Sequence, residues 1–201
     1  MDIVRATPDL AAALTAISLA AKRYWKYPES WIVAWTPQLT ISREYVAASP
    51  TYAAVEEGAP VGFYALVLWP AAAGKLRAQL DHLWLRPDWI GRGLGRVLFE
   101  HAVATARQLG AADLFLEAEP NAEPFYRHMG ARRTGERIGE IEGQPRVLPL
   151  MELDLGSHGA QGGDGGQGRG FLDRRGTLAV GPGSAVADVA AARRRRGTGD
   201  E

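Results

Sequence analysis

The sequence predicts one α/β (α+β layered) domain over residues 1–155, chiefly because strand and helix patterns alternate along the chain. Seven strand patterns and four main helical patterns follow in the order β-α-α-β-β-β-α-β-α-β-β, as a layered domain requires. The composition agrees, since 46% of the 201 residues are hydrophobic and 23% are charged, which is typical of a globular domain. The elements are arranged around residues 81–100, where a buried strand, a glycine-rich turn and a helix follow one another.

The N-terminal half combines a strand, two helices and a strand hairpin. Thr7 and Pro8 indicate a helix start, because Thr caps free amides and Pro is tolerated at the first helical position. Glu57-Gly58-Ala59-Pro60 separates two apolar runs and is typical of a hairpin turn. In order, the patterns are a strand at 3–6, a helix at 7–22, a short helix from Pro28, a helical turn at 40–48 and strands at 52–56 and 61–69.

The C-terminal half contains the glycine turn and ends in a second strand pair. The strand before the turn stops near Arg86, because Pro87 cannot continue a central ladder. The three glycines Gly91, Gly93 and Gly95 allow the backbone to turn tightly and to approach a ligand without a Cβ in the way. In order, the patterns are a strand at 76–85, a helix from Leu94 to Gly110, a strand at 114–118, a short helix at 120–130 and a strand pair at 132–142 and 146–155.

The glycine turn opens a helix, which makes it a candidate phosphate site. The first amides of a helix have no intrahelical acceptor, and the helix dipole is positive at that end. The spacing does not fit the dinucleotide fingerprint Gly-x-Gly-x-x-Gly, because Arg96 stands at its last position, and no Walker pattern is present. Taken alone, the turn also fits a plain helix start in which the glycines serve packing.

Two motifs in this half together carry a family resemblance. The first is Leu83-Trp84-Leu85-Arg86-Pro87 followed by Ile90-Gly91-Arg92-Gly93-Leu94-Gly95, and the second runs from Pro120 to Ala131 and contains Asn121 and Phe125-Tyr126. They resemble the coenzyme A motif and the Asn…Phe-Tyr helix of the GNAT-type (GCN5-related) N-acetyltransferases. Ile90 stands where that family has Arg or Gln, at a position whose contacts are mostly made by the backbone. The resemblance covers residues 1–155 and implies a mixed central sheet of about seven strands flanked by helices.

The resemblance implies an acyltransferase that moves an acetyl group from acetyl-CoA, without a metal, to an amine. Direct attack in a ternary complex suits a chain that has no cysteine and no Gly-x-Ser-x-Gly elbow. The glycine turn would hold the pyrophosphate, and the strand edge at 83–85 would pair with the pantetheine arm. The implied cofactor-binding residues are Leu83, Trp84, Leu85, Ile90, Gly91, Arg92, Gly93, Leu94, Gly95, Arg96 and Asn121.

The leaving thiolate needs a proton donor, and the resemblance implies Tyr126 in that role. A phenol, with an ordinary pKa near ~10, can supply the proton. The alternative is that Tyr126, like Phe125, only packs its helix against the sheet. Asn121 likewise is either a coenzyme A contact or an ordinary N-cap.

The amine must lose a proton, and Asp81 and His82 are candidates to accept it. Strand alternation predicts Asp81 on the face of Leu83 and His82 on the face of Trp84, so only one of the two faces a given cleft. His82 has the better ordinary pKa for the task, whereas Asp81 matches the face on which related enzymes often carry a carboxylate. Further candidates at the neighbouring strand end are Glu117 and Glu119.

An aromatic segment between the first two predicted helices is the candidate border of the acceptor pocket. The resemblance implies that Tyr24, Trp25 and Tyr27 border a pocket for a small or partly apolar amine. Trp31 and Trp35 have helical spacing, which is more typical of core packing. The alternatives for function are a protein N-terminal or lysine acetyltransferase and an acyl-CoA-binding module without turnover.

Composition argues against several classes of partner and location. The formal net charge is zero, which argues against nucleic acid, and the four histidines lack metal-ligand spacing. No apolar run reaches the ~18 residues of a membrane span, and no signal-peptide pattern is present, so we expect a cytoplasmic protein without membrane contact. The sequence does not decide between a monomer and a homodimer. Residues 156–201 hold 13 of the 24 glycines and the run Arg193–Arg196, which predicts a disordered Gly/Arg-rich tail.

Overall fold

The computed structural model describes residues 1–156, so the predicted tail lies outside the described residues from position 157 onward. A seven-stranded mixed sheet in the order β1-β2-β3-β4-β5-β7-β6 runs through this part of the chain, which confirms the predicted fold class. The segment at 40–48, predicted as a helical turn, contains a third helix before β2. The elements are β1 Asp2–Arg5, α1 Ala11–Tyr24, α2 Glu29–Leu39, α3 Arg43–Ala48, β2 Thr51–Glu56, β3 Ala59–Pro70, β4 Leu76–Leu85, α4 Leu94–Gln108, β5 Ala111–Glu117, α5 Glu123–His128, β6 Arg132–Ile141 and β7 Gln144–Asp154.

Both faces of the sheet are covered, which explains the nearly continuous apolar run of β3. On one face, α4 and α5 bury an apolar cluster that includes Tyr64 and Leu98. On the other face, α1 and α3 bury a cluster that includes Leu14 and Phe63. Tyr64 and Phe63 are neighbours in the chain and point to opposite faces, as the two-residue repeat of a strand requires. Within residues 1–156, no helix has the length and apolar character needed to cross a membrane.

The strands β4 and β5 separate along their length, and this gap is the feature that positions the site. They pair in parallel only where residues 76–79 face residues 111–115. Beyond that point, within the described residues, β4 is hydrogen-bonded on its β3 side only. The Arg86 amide donates to the Val61 carbonyl of the β3 strand (N···O 2.9 Å). Because the pattern repeats every two residues, Leu83 and Leu85 present their N–H and C=O groups to the gap.

A β-bulge in β4 changes the direction of Asp81. Ala65 of β3 lies opposite His82, whereas the next residue, Leu66, lies opposite Leu80, so Asp81 is an extra residue in the ladder. Its Oδ2 accepts a hydrogen bond from the Tyr45 hydroxyl (2.7 Å), and the same tyrosine ring contacts His82 edge-on. The prediction that Asp81 and His82 point to opposite faces is therefore wrong, because alternation fails at a bulge.

Candidate active site

The glycine turn before α4 has the backbone geometry of an anion site. Gly91 (φ 80°) and Gly93 (φ 83°) lie in the left-handed region that favours glycine. An added Cβ at either position would meet no described atom within 4 Å, so the surface over the turn is open. Val97 is the first residue of α4 whose amide donates a hydrogen bond within the helix, to the carbonyl of Gly93 (N···O 3.3 Å). The amides of residues 94–96 are therefore free to bind an anion.

Ile90 and Gly95, both predicted to bind the cofactor, make structural contacts within the protein. The Ile90 amide donates to the Pro87 carbonyl (N···O 3.2 Å). The amides that are free to bind an anion therefore begin after Ile90. Gly95 lies inside the first turn of α4, where an added Cβ would be 3.4 Å from Leu85 and 3.6 Å from Phe125. Gly95 therefore lets α4 pack closely against the end of β4 and against α5, which is the packing role that the sequence left open.

The two arginines of the turn are exposed and oriented differently. The Arg92 guanidinium lies 5.5 Å from the centre of the Trp89 ring. Arg96 donates to Glu100 one helical turn later (2.7 Å). An exposed pair of this kind is worth little in stability, so Arg96 can exchange Glu100 for another anion at low cost.

Tyr126 lies in α5 and belongs to the apolar cluster against which Leu83 and Leu85 of β4 pack. Its side chain is only 7% exposed, and its ring packs against those of Phe99 and Phe125. Burial, and to a lesser degree the charge of Glu119, raises the pKa of the Tyr126 hydroxyl, which keeps it protonated at neutral pH. Asn121 is exposed and belongs to the short turn before α5, whose N-cap is Ala122, so Asn121 is not the N-cap of that helix.

One nitrogen of the His82 imidazole is hydrogen-bonded, and the other faces a carboxylate. Its Nδ1 accepts a hydrogen bond from the Trp84 indole N–H (3.0 Å), and its Nε2 lies 3.6 Å from the Asp81 carboxylate. Burial lowers the pKa of His82, although the charge of Asp81 opposes this. The neutral imidazole therefore carries its proton on Nε2 and has no free lone pair. Asp81 is also enclosed, with a side chain that is 3% exposed.

A second polar group, the Glu119 cluster, lies just beyond the C-terminal end of β5. We define it as Lys22, Tyr27, Trp35, Glu119 and Arg146. The Glu119 carboxylate accepts hydrogen bonds from the Lys22 ammonium and the Tyr27 hydroxyl, and from Arg146 Nη2 (2.8 Å). Trp35 lies under both cations, and the centre of its ring is 4.3 Å from Lys22 Nζ and 4.7 Å from Arg146 Cζ. Residues of α1, α2 and β7 thus meet at the end of β5.

The ionisable groups of the Glu119 cluster shift one another's pKa values. Burial lowers the pKa of Lys22, and Glu119 only partly offsets this. Burial alone would raise the pKa of Glu119, but Lys22, Tyr27 and Arg146 outweigh it, and the net shift is downward. Burial and the Glu119 carboxylate raise the pKa of Tyr27 to about 12. Glu119 therefore stays ionised and is a weak base, although it lies at the strand end where the sequence indicated a candidate carboxylate.

The structure brings only part of the predicted aromatic group to this cluster. Tyr27 is a member, whereas Tyr24 is exposed and stacks edge-on with Trp25. Trp35 packs in a small apolar cluster with Ile32, as predicted from its spacing, and also contacts the two cations.

Lys22 and Arg146 are residues of the cluster that the sequence reasoning missed. Lys22 follows Leu14 and Ser18 on the buried face of α1. A cation on the apolar face of a helix indicates a buried partner, which is the signal that could have found it. In the part of the chain that the structure describes, no group of three or more His, Cys, Asp or Glu residues is arranged to hold a metal.

Comparisons with known proteins agree with this geometry. Residues 17–131 match the family model described as Acetyltransferase (GNAT) family. The peptidyl-lysine N-acetyltransferase YjaB of Escherichia coli (strain K12) is 33% identical over 112 residues, which are 55% of this chain and 67% of that protein.

Solved structures share the fold. The GCN5-related N-acetyltransferase from Rhodopseudomonas palustris superimposes with a TM-score of 0.63 at 26% identity, covering 76% of this chain and 94% of that one. The PaiA N-acetyltransferase from Thermoplasma acidophilum, solved in complex with coenzyme A, has a TM-score of 0.58 at 16% identity, covering 76% and 98%.

Proposed function

Because the chain belongs to the acetyltransferase (GNAT) family and is an N-acetyltransferase that uses acetyl-CoA, we propose that it acetylates a small primary amine by direct attack in a ternary complex. The observation that supports this proposal is the position of the Glu119 cluster, which lies just beyond the C-terminal end of β5, at the same end of the sheet where β4 is unpaired. Its charged side chains are largely buried, and a buried polar group at this end of the site suits a small acceptor better than the surface of a protein.

The cosubstrate would bind along β4 and the glycine turn. The free amides of residues 94–96, at the positive end of the α4 dipole, suit the pyrophosphate. Arg92 and Arg96 are exposed beside them and add positive charge. The open edge at Leu83 and Leu85 offers N–H and C=O groups to the amides of the pantetheine arm, as an added strand would.

The transfer needs two proton movements besides the attack. The amine nitrogen forms a bond to the acetyl carbonyl carbon, the C–S bond breaks, and the sulfur leaves as thiolate. We assign the donor to the thiolate as Tyr126, whose raised pKa keeps its hydroxyl protonated. An amide N–H of the β4 edge would stabilise the negative charge on the carbonyl oxygen.

For the amine proton we propose Asp81, acting through water, and a positioning role for His82. The Nδ1 lone pair of the imidazole accepts a hydrogen bond from Trp84, so His82 cannot accept a proton there without breaking that bond. The bulge directs the Asp81 carboxylate toward the hydroxyl of Tyr45. Burial and Asp81 raise the pKa of that hydroxyl, so it remains a donor and holds the carboxylate in place.

A lysine side chain of a protein is the second candidate acceptor. It is favoured by one observation, the 33% identity to a relative named peptidyl-lysine N-acetyltransferase. Both acceptors present a primary amine, so the reaction is the same and only the fit of the remaining atoms differs.

The experiment is a thiol-release assay with the full chain, acetyl-CoA and two sets of acceptors, namely small primary amines and lysine-containing peptides. We expect kcat/KM for the best small amine to exceed that for the best peptide by about tenfold or more, because a peptide backbone loses the enclosed contacts. Turnover with peptides alone would establish the second candidate. If acetyl-CoA stabilises the protein but no amine causes thiol release, the protein is instead an acyl-CoA-binding module without turnover.

A further inference from the structure

We propose that the Glu119 cluster binds an anionic group of the acceptor, so that the substrate is an amine that also carries a carboxylate. The inference rests on the proposed function, since it assigns the class of the small amine. It is carried by the charge balance of the cluster, by one unpaired donor and by the position of the cluster at the end of β5, where β4 is unpaired.

The charge balance of the cluster is positive. Two cations, Lys22 and Arg146, share the single carboxylate of Glu119, and Tyr27 is neutral. The side chains of the three charged residues are only 7%, 16% and 10% exposed, in that order. An unbalanced charge is costly where water is excluded, and a bound carboxylate would bring the total to zero.

The unpaired donor belongs to Arg146. Its Nε is fully buried and has no hydrogen-bond partner within residues 1–156, whereas its Nη2 binds Glu119. Buried donors without an acceptor are rare in folded proteins. The guanidinium carbon lies over the Trp35 ring, 4.7 Å from its centre. A carboxylate is the acceptor that a guanidinium binds best.

The cluster also lies where the far end of an acceptor would be. Glu119 follows the last residue of β5 by two positions, and β4 is unpaired on its β5 side at that end of the sheet. In the proposed binding mode, the amine of an acceptor whose anion contacts Arg146 extends toward the unpaired edge of β4. Arg146 is the most exposed of the three charged residues, so an anion would reach it before Lys22.

The test compares carboxylates with their neutral isosteres as acceptors. The panel contains α-amino acids and ω-amino acids of increasing length, each beside its own carboxamide, and kcat/KM is calculated for the unprotonated amine. For the best pair we expect the full-length enzyme to prefer the carboxylate by about tenfold or more, as for a charge-assisted hydrogen bond. Ratios within about twofold across the panel would overturn the proposal without any variant.

The variant Arg146→Gln removes the unpaired donor and the excess charge together. We expect the ratio of kcat/KM for the carboxylate to kcat/KM for the carboxamide to fall to about one in this variant. The matched control is Arg137→Gln, since Arg137 lies on the adjacent strand β6 and pairs with Glu117 instead (2.8 Å). The control should keep the preference. A preference that survives Arg146→Gln, or that Arg137→Gln abolishes equally, contradicts the assignment.

The two proposals fail in different ways. If carboxamides are acetylated as well as carboxylates, the enzyme acts on small amines but this anion site does not exist. If no small amine of either kind releases thiol, the proposed function is wrong and the anion site falls with it.

Discussion

Replacing Gly93 with alanine should separate coenzyme A binding from stability, because the chain contains a matched position. Gly93 and Gly110 stand at the two ends of α4 with φ angles of 83° and 82°. At both positions an added Cβ would meet no described atom within 4 Å. The two substitutions therefore share the same cause of strain, an alanine in the left-handed region, and differ only in which end of the helix carries it.

The strain can be estimated for both variants. A non-glycine residue in the left-handed region costs about 1–2 kcal/mol, and about 1 kcal/mol shifts Tm by roughly 2–4 °C in a chain of this length. We expect Gly93→Ala and Gly110→Ala to lower Tm without ligand by a similar amount, roughly 2–8 °C. A scanning-fluorimetry or calorimetric melt of each full-length variant measures this directly.

Coenzyme A affinity should distinguish the two variants. A Cβ at Gly93 lies beside the free amides at the start of α4, and any change of φ there turns those amides away from the pyrophosphate. We expect Kd for coenzyme A, measured by calorimetry, to rise about tenfold or more in Gly93→Ala, which is about 1.4 kcal/mol, and to stay unchanged in Gly110→Ala. Equal weakening in both variants would show that stability alone controls binding. Unchanged affinity in Gly93→Ala would refute the phosphate assignment.

Four further substitutions test the proton transfers and the buried charges. Tyr126→Phe should lower kcat by about tenfold or more with Kd for coenzyme A unchanged; equal kcat at all pH values would exclude it as the acid. Asp81→Asn should lower kcat more than His82→Gln in pH-rate profiles, because only the carboxylate is proposed to accept the proton; the reverse order would exchange their roles. Glu119→Gln should reduce the free energy of unfolding at neutral pH by about 3 kcal/mol, because it leaves two buried cations unpaired. The pKa of Glu119 is lowered in the folded protein, so its contribution is complete above the ordinary carboxyl pKa and is lost as the pH falls through the folded value. Urea unfolding of both proteins near neutral pH and in acid should therefore give a difference that shrinks in acid, and a constant difference would contradict the ion-pair account.

The parts of the fold that depend on local sequence were predictable. Pro87 ends the β4 pattern, and Gly91 and Gly93 turn the chain into α4, because each residue acts through its own backbone geometry. The turn Glu57-Gly58-Ala59-Pro60 between two apolar runs likewise indicated the hairpin that β2 and β3 form. These features needed no knowledge of distant contacts, and the order of the remaining elements followed from the alternation of strand and helix patterns along the chain.

The direction of Asp81 was not predictable from its own strand. A bulge is a property of two paired strands, since it arises where Ala65 faces His82 and Leu66 faces Leu80. The sequence of β4 alone contains only the alternation that the bulge breaks. The wrong prediction of opposite faces matters for the chemistry. The bulge brings Asp81 to the same side of the sheet as His82, so the two groups can interact.

The Glu119 cluster shows a second limit, which concerns pairing over long sequence distances. Its charged members lie at positions 22, 119 and 146, and no motif joins them. Each has an ordinary local explanation as a helix-end lysine, a strand-end carboxylate or an arginine in a hairpin. Only the sheet order, with β7 inserted beside β5, brings Arg146 to the end of β5 and within reach of α1. The proposed acceptor end of the site therefore depends on topology, whereas the proposed coenzyme A end depends on local backbone geometry. For this reason the cosubstrate could be inferred from the sequence while the acceptor could not.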